Sequence, residues 1–279
     1  TSGSVVHVDP DNSTSYGGSG TTWTDLSGNS NNGTFTNMSM GDDYQSTTSG
    51  SYFDFDGSND YVDFGNVTAA NFGTGPFSVS FWMNPDAWND GSSDGIIDKK
   101  TNDTTNGWTI YNDGGAGTKI NARLGLQNNF MSDTSVTTGV WQNWVFTRDS
   151  SSNLRWYYNG NLDQSGTTNN TNLSDSQDLR IGRSNTWGGY FNGKMGQVHV
   201  LDRCLSAAEV KSDYNALAPR YIPGYDTGKT DAEANIVTSN LVAHYDMGSP
   251  ICNPGNGTTI TDLGGSNNGT ITGPTYSKA

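Results

Sequence analysis

Cysteine is nearly missing: Cys204 and Cys252 are the only two among 279 residues, too few for a disulfide-stapled scaffold. Basic residues are scarce too. Fourteen Lys and Arg stand against 28 acids, a formal net charge of -14. That balance excludes a nucleic-acid binder that works by neutralising phosphates, and it disfavours anionic membrane surfaces. No apolar run approaches the ~20 residues that span a bilayer, so no membrane insertion is expected. Glu is rarest among the acids, with Glu209 and Glu233 the only two. The opening TSGSVVHVDP has neither the basic nor the apolar region of a signal peptide.

What the chain does have is Gly, Asn, Ser, Thr and Asp in quantity, with 11% aromatic and 32% hydrophobic residues. Such a composition suits strands joined by tight polar turns, and the aromatics argue against disorder. In SYFDFDG, Phe53 and Phe55 share one face, and in DYVDF so do Val62 and Phe64. PFSVSFWMNP puts Phe77, Val79, Phe81 and Met83 on one face, the period-2 pattern of a half-buried antiparallel strand. Further strands are expected at GWTIYN, INARLGLQ, WQNWVFTRD, LRWYYNG, LRIGR and GQVHVLDR. Short strands separated by turn residues read as an all-β, two-sheet sandwich. One helix interrupts the pattern at CLSAAEVKSDYNAL, where Ser206 caps the first turn, Glu209 reaches back, and Leu205 staples onto Val210.

A shift of 237 positions lays residues 1–9, TSGSVVHVD, on 238–246, TSNLVAHYD, and GTTWTDLSGNSNNGT on GTTITDLGGSNNGT. With one residue dropped in the turn, 19 identities fall before residue 37. A period this long implies an array of whole domains rather than a solenoid. The expected organisation is a domain over 1–221, a linker over 222–237, and the opening strands of a second copy over 238–279. Two accounts of the partial copy stay open. It belongs to a longer tandem array, or it enters the sheet of a neighbouring subunit and links copies head to tail.

The ordered segments LSGNSNNGT, FDFDGSNDYVDF, FSVSFWMNP, WQNWVFTRD, LRWYYNG, LRIGR and YFNGKMGQVHVLDRCLSAAEVKSDYNAL resemble the laminin-G-like, concanavalin A-like lectin/glucanase jelly roll. The closest-looking versions are those of tailed-phage virion structural proteins and bacterial surface adhesins. This resemblance implies an antiparallel β-sandwich (jelly roll) with one short C-terminal helix, an extracellular, cell-surface or virion-surface location, and glycans or cell-surface polysaccharide as partners. Many members carry acids in the last strand where this chain has Gly196 and Gln197.

Retaining glycosidases need two carboxyl groups about 5 Å apart, and the glucanases of this fold supply paired Glu on one strand. Glu209 and Glu233 stand alone, so no enzyme activity is expected. The resemblance points to Ca2+ near two turns, where Asp25, Asn29, Asn32, Asp56 and Asp60 offer hard oxygen ligands; the same residues are also ordinary turn formers. For sugar stacking, Trp88, Trp108 and Trp187 lie in or beside polar loops, although packing beneath a loop explains any single one of them more readily. Cys204 and Cys252 either form a disulfide across the linker or remain two unrelated thiols. The reading is a non-enzymatic, glycan-binding surface module, with a purely structural filament or decoration subunit as the alternative.

Overall fold

Alternation along each strand decides which side meets the core. A computed structural model describes residues 2–225 except 49, 89–90, 92, 103, 114–116, 127 and 169–170, together with 259–260 and 269–270. The chain divides into two units, Thr1–Pro223 and Gly224–Ala279. The linker beyond 225, Glu233, Cys252 and most of 238–279 lie outside the described residues.

The first unit is an antiparallel sandwich of two sheets. Across the first sheet run Asn161–Thr167, Asn153–Tyr158, Gln142–Arg148, Phe77–Pro85, Asn192–Leu201, Ser51–Asp56 and Tyr44–Ser46, with Ser4–Val8 also paired to Asn192–Leu201. Across the second run Asn128–Ser135, Lys119–Leu124, Trp108–Asp113, Ser93–Lys99, Arg180–Ile181, Tyr61–Asp63, Gly33–Thr36 and Thr22–Trp23. A two-residue strand, Gly189–Tyr190, adds to Ser93–Lys99 in parallel. Phe53, Phe55, Val62, Phe77, Val79, Phe81 and Met83 all point into the core between the sheets, as their alternation requires.

The strand Phe77–Pro85 departs from the half-buried expectation, because Trp82 on its other face is also fully buried. The cover is the helix Ala207–Tyr221, which lies on the outside of the first sheet and stacks Tyr214 and Tyr221 on Trp82 at centroid distances of 5.5 and 4.6 Å. Ser206 and Glu209 form the expected capping box, and Leu205 and Val210 share a buried cluster with Val145, Tyr157 and Leu201. Gly196 and Gln197 gain a local explanation. A Cβ at Gly196 would sit 2.5 Å from the Tyr221 hydroxyl, and that hydroxyl accepts a 3.0 Å hydrogen bond from the Gln197 N–H. A side chain at 196 would push the helix end off the sheet. A single helical turn, Met40–Asp43, was not expected.

Three fully buried cations tie the polar loops to the sheets. The Arg148 guanidinium lies 5.3 Å over Phe77 and donates to the carbonyls of Gly73, Gly75 and Thr171. Lys99 Nζ donates to Asn66 Oδ1 and to the carbonyls of Asp175 and Gln177, while Lys100 Nζ reaches those of Thr105 and Asn106. Burial lowers the Lys99 pKa and pulls that of Arg148 down to about 10, so Arg148 remains a cation at neutral pH.

In the second unit Thr259–Ile260 pairs with Gly269–Thr270, Thr259 opposite Thr270 and Ile260 opposite Gly269. The first unit pairs Thr22 with Thr34 and Trp23 with Gly33. The two hairpins are the same one in the same register.

Arg148→Leu should leave three buried carbonyls without donors and lower the unfolding free energy by about 3 kcal/mol or more, measured by urea denaturation. A second expectation concerns His7 and His199, which face each other across the ladder with rings stacked at 4.6 Å. Burial lowers both, His199 to about 3, whereas an unfolded histidine protonates near 6.5. As pH falls below 6.5 the unfolded state therefore binds protons first, and stability is lost progressively toward pH 3. The urea midpoint should drop more between pH 7 and 5 in the wild type than in His199→Gln.

Candidate functional site

Two surfaces combine aromatic faces with polar groups. The first is an open cleft on the outside of the first sheet, where the helix ends. Tyr52 lies on the opposite face of its strand from core-facing Phe53. Trp141, just before the strand Gln142–Arg148, packs 4.7 Å from the Tyr221 ring at 44° and 5.7 Å from Tyr52 at 64°. Together with Thr47, Val140, Asn159 and Arg220 these residues line a cavity of about 580 Å³, within the roughly 300–1,000 Å³ of small-ligand sites. Val140 on its rim is 49% exposed. The walls are held: Arg220 meets Asp9 at 2.7 Å, and Asn159 Oδ1 accepts the Asn143 N–H at 2.9 Å. Flat aromatic faces beside an amide, a guanidinium and a hydroxyl are what a sugar ring needs, with C–H groups stacking and hydroxyls bonding.

The second surface lies outside the second sheet, where residues 182–191 fold back against Ser93–Lys99. Ser184 N–H donates to the Gly189 carbonyl, Gly182 N–H to that of Ile96 and Phe191 N–H to that of Gly182. This approach is possible only because position 95 is glycine: a Cβ there would lie 2.2 Å from the Ser184 nitrogen. Trp187 is half-buried at the turn, 4.5 Å from the Tyr111 ring, with the Arg123 guanidinium 5.4 Å from its own ring. Arg183 lies over Tyr61 and Tyr190, and Arg180 over Tyr61.

Of the three tryptophans expected to stack on sugar, only Trp187 is on such a surface. Trp108 must be corrected. It is 1% exposed and lies among Phe72 and Phe77, with its indole N–H donated to the Ala70 carbonyl at 3.0 Å. The parity of its strand turns Trp108 and Ile110 into the core. Trp88 is half-buried against the core, its indole nitrogen enclosed and unpartnered. Trp141, Tyr52, Tyr61, Tyr190 and Arg183 carry the two surfaces and were not singled out from the sequence. Parity offered a clue, since Trp141 lies an odd number of positions from core-facing Trp144 and Phe146.

The calcium set separates into two turns. At the first, Asp25 Oδ1 accepts the N–H groups of His7 and Ser27, and Oδ2 accepts the Ser27 hydroxyl and the Asn31 N–H. Asn32 Oδ1 accepts the Asp25 N–H, while the Asn29 amide donates to the Ser4 carbonyl. In this arrangement four donors converge on the Asp25 carboxylate, and the three residues organise the turn. At the second turn Asp56 accepts the N–H groups of Ser58 and Asn59, and Asp60 accepts that of Asp56. Among the described residues no three His, Cys, Asp or Glu side chains gather at one point. Cys204 is half-buried, and its thiol pKa is raised by burial. Its proposed partner Cys252 lies outside the described residues.

Glu209, Asp60 and Asp98 are committed elsewhere. Glu209 caps the helix and meets Arg203 at 2.7 Å. Burial raises the Asp60 pKa to about 6 and that of Asp98 to about 7. Asp98 is wholly enclosed and accepts the Lys100 and Asn185 N–H groups, so it cannot touch a substrate.

Residues 56–211 match the family model described as the concanavalin A-like lectin/glucanases superfamily, of laminin G type. No curated protein matches the chain by sequence. Among solved structures it is similar to the binding domain of Paraclostridial Mosquitocidal Protein 1, with 16% identity and a TM-score of 0.60 over 77% of this chain and 52% of that one. It is also similar to domain 4 of AbnA, an extracellular arabinanase from Geobacillus stearothermophilus solved with arabinotriose, with 18% identity and a TM-score of 0.56 over 75% of this chain and 97% of that one. The botulinum neurotoxin serotype G binding domain gives 19% identity and a TM-score of 0.56 over 76% and 50%. The chain thus spans about half the length of the two toxin binding domains. At these identities the likeness is one of fold. With two antiparallel sheets in this arrangement and a family match covering more than half of its 279 residues, the chain belongs to the concanavalin A-like lectin/glucanases superfamily.

Proposed function

We propose that the chain is a non-enzymatic glycan-binding module of an extracellular, cell or virion surface, and that the Trp141 cleft is its binding site. One observation carries this reading: an open cavity of about 580 Å³ whose walls combine Trp141, Tyr52 and Tyr221 with Asn159, Arg220 and Thr47. The solved relative bound to arabinotriose supports the ligand class by analogy. The committed carboxylates support binding without hydrolysis.

We also infer that 238–279 repeats the opening of the first domain and that the module works in tandem. The shared hairpin register supports this. In such an array each weak sugar contact would be reinforced by its neighbours.

A glycan array followed by calorimetry on the best neutral oligosaccharide tests the cleft. Trp141→Ala should weaken binding by about tenfold or more, a loss of about 1.4 kcal/mol. Trp108→Phe, a core change, should lower stability and leave affinity unaltered in the folded protein. Failure to retain any glycan, or full affinity in Trp141→Ala, would overturn the reading.

A further inference from the structure

The face outside the second sheet holds a cation that the fold does not use. Each of the other six arginines has an acceptor: Arg123 the Leu126 carbonyl, Arg148 the Gly75 carbonyl, Arg155 and Arg180 aspartates, Arg203 the Ser2 carbonyl and Arg220 Asp9. Arg183 is the exception. Its Nε is buried without a partner, and among the described residues no acceptor or carboxylate engages its guanidinium. In a chain with twice as many acids as bases, an arginine with neither a carboxylate nor a carbonyl acceptor runs against the composition. Its neighbour Arg180, by contrast, meets both Asp63 at 2.9 Å and Asp178 at 3.3 Å.

The guanidinium is also held in place. Its Cζ lies 5.1 Å from the Tyr61 ring centre and 5.4 Å from that of Tyr190, and the two rings are 6.5 Å apart. Tyr61 stands on the strand Tyr61–Asp63, on the side away from core-facing Val62. Tyr190 is opposite Arg183 in a backbone bridge and lies alongside Gly95. All three side chains are half-buried. The group is therefore pre-oriented between two aromatic rings, and little side-chain entropy remains to be lost on binding.

We propose that Arg183, with Tyr61 and Tyr190, forms a second binding site on the opposite face of the sandwich from the Trp141 cleft, selective for the carboxylate of an acidic sugar residue. The planar guanidinium suits a carboxylate, and the flanking tyrosines offer ring faces to the sugar that carries it. Sialic and uronic acids share this chemistry. The site extends the glycan-binding reading but does not depend on the cleft.

Calorimetric titration with two matched pairs tests it: 3′-sialyllactose against lactose, and trigalacturonate against its methyl ester. At least one carboxylated probe should bind about tenfold or more tightly than its neutral counterpart, identifying which acid is preferred. Arg183→Gln should abolish that preference, Arg183→Lys should restore only part of it because the charge returns without the fork, and Trp141→Ala should leave it intact. Thermal unfolding of each variant confirms that the fold is retained. The proposal falls if both pairs bind alike or if Arg183→Gln keeps the preference. Neutral-glycan binding that depends on Trp141 would survive that outcome and leave the cleft standing. Acid selectivity lost only in Arg183→Gln, with no glycan affected by Trp141→Ala, would instead sink the cleft and retain this site.

Discussion

The structure depends on three cations that water cannot reach. Loops rich in Gly, Asn, Ser and Thr have little apolar surface to bury beyond single anchors such as Phe72 and Leu173, so the hydrophobic effect holds them at few points. Arg148, Lys99 and Lys100 add to it through main-chain carbonyls, gathering the segments around 73–75, 105–106 and 171–177 at the ends of three strands. Charged donors make the stronger hydrogen bonds, and in a dry site they have no competitor. The same arrangement is costly to disturb, because removing one head group strands several acceptors at once.

The two outer faces of the sandwich differ for a simple reason. The helix Ala207–Tyr221 covers Trp82 and the patch around Val145, Tyr157 and Leu201 on the first sheet, and the cleft opens where that helix stops, beside Trp141. The second sheet is crossed only by a short turn seated on Gly95, which leaves its tyrosines and arginines half-open. Both faces bring aromatic rings to an accessible point, and on the first the partly exposed Asp54 and Asp86 are both held by Lys194.

Much of the fold was legible in the sequence. Strict alternation at Phe77–Met83 and at Phe53 and Phe55 placed the core faces, and Ser206 with Glu209 located the helix start. The strand Ser93–Lys99 was not legible, since it is buried on both sides and ends in a lysine with a second just beyond it, so no alternation marks it. Asn128–Ser135 and Asn161–Thr167 are polar edge strands that look like loops. The site was harder to read. Whether a tryptophan stacks on sugar or on phenylalanine depends on partners tens of residues away, as Trp108 shows with Phe72 and Phe77. Asp25 and Asn32 look alike as calcium ligands and as turn organisers until the donors around them are known.

Three of the fourteen basic residues are buried, as are Asp9, Asp25, Asp60, Asp94 and Asp98, so the solvent-facing surface keeps the acidic excess behind the net value of -14. An anionic molecule approaching from several nanometres therefore meets repulsion, and only at van der Waals range does a single local cation reverse the sign. Its association rate would rise as salt screens the long-range field, opposite to the usual behaviour of oppositely charged partners. Encounter and capture would then answer to different parts of the molecule: the distributed aspartates set how often a ligand arrives, and one side chain sets how long it stays.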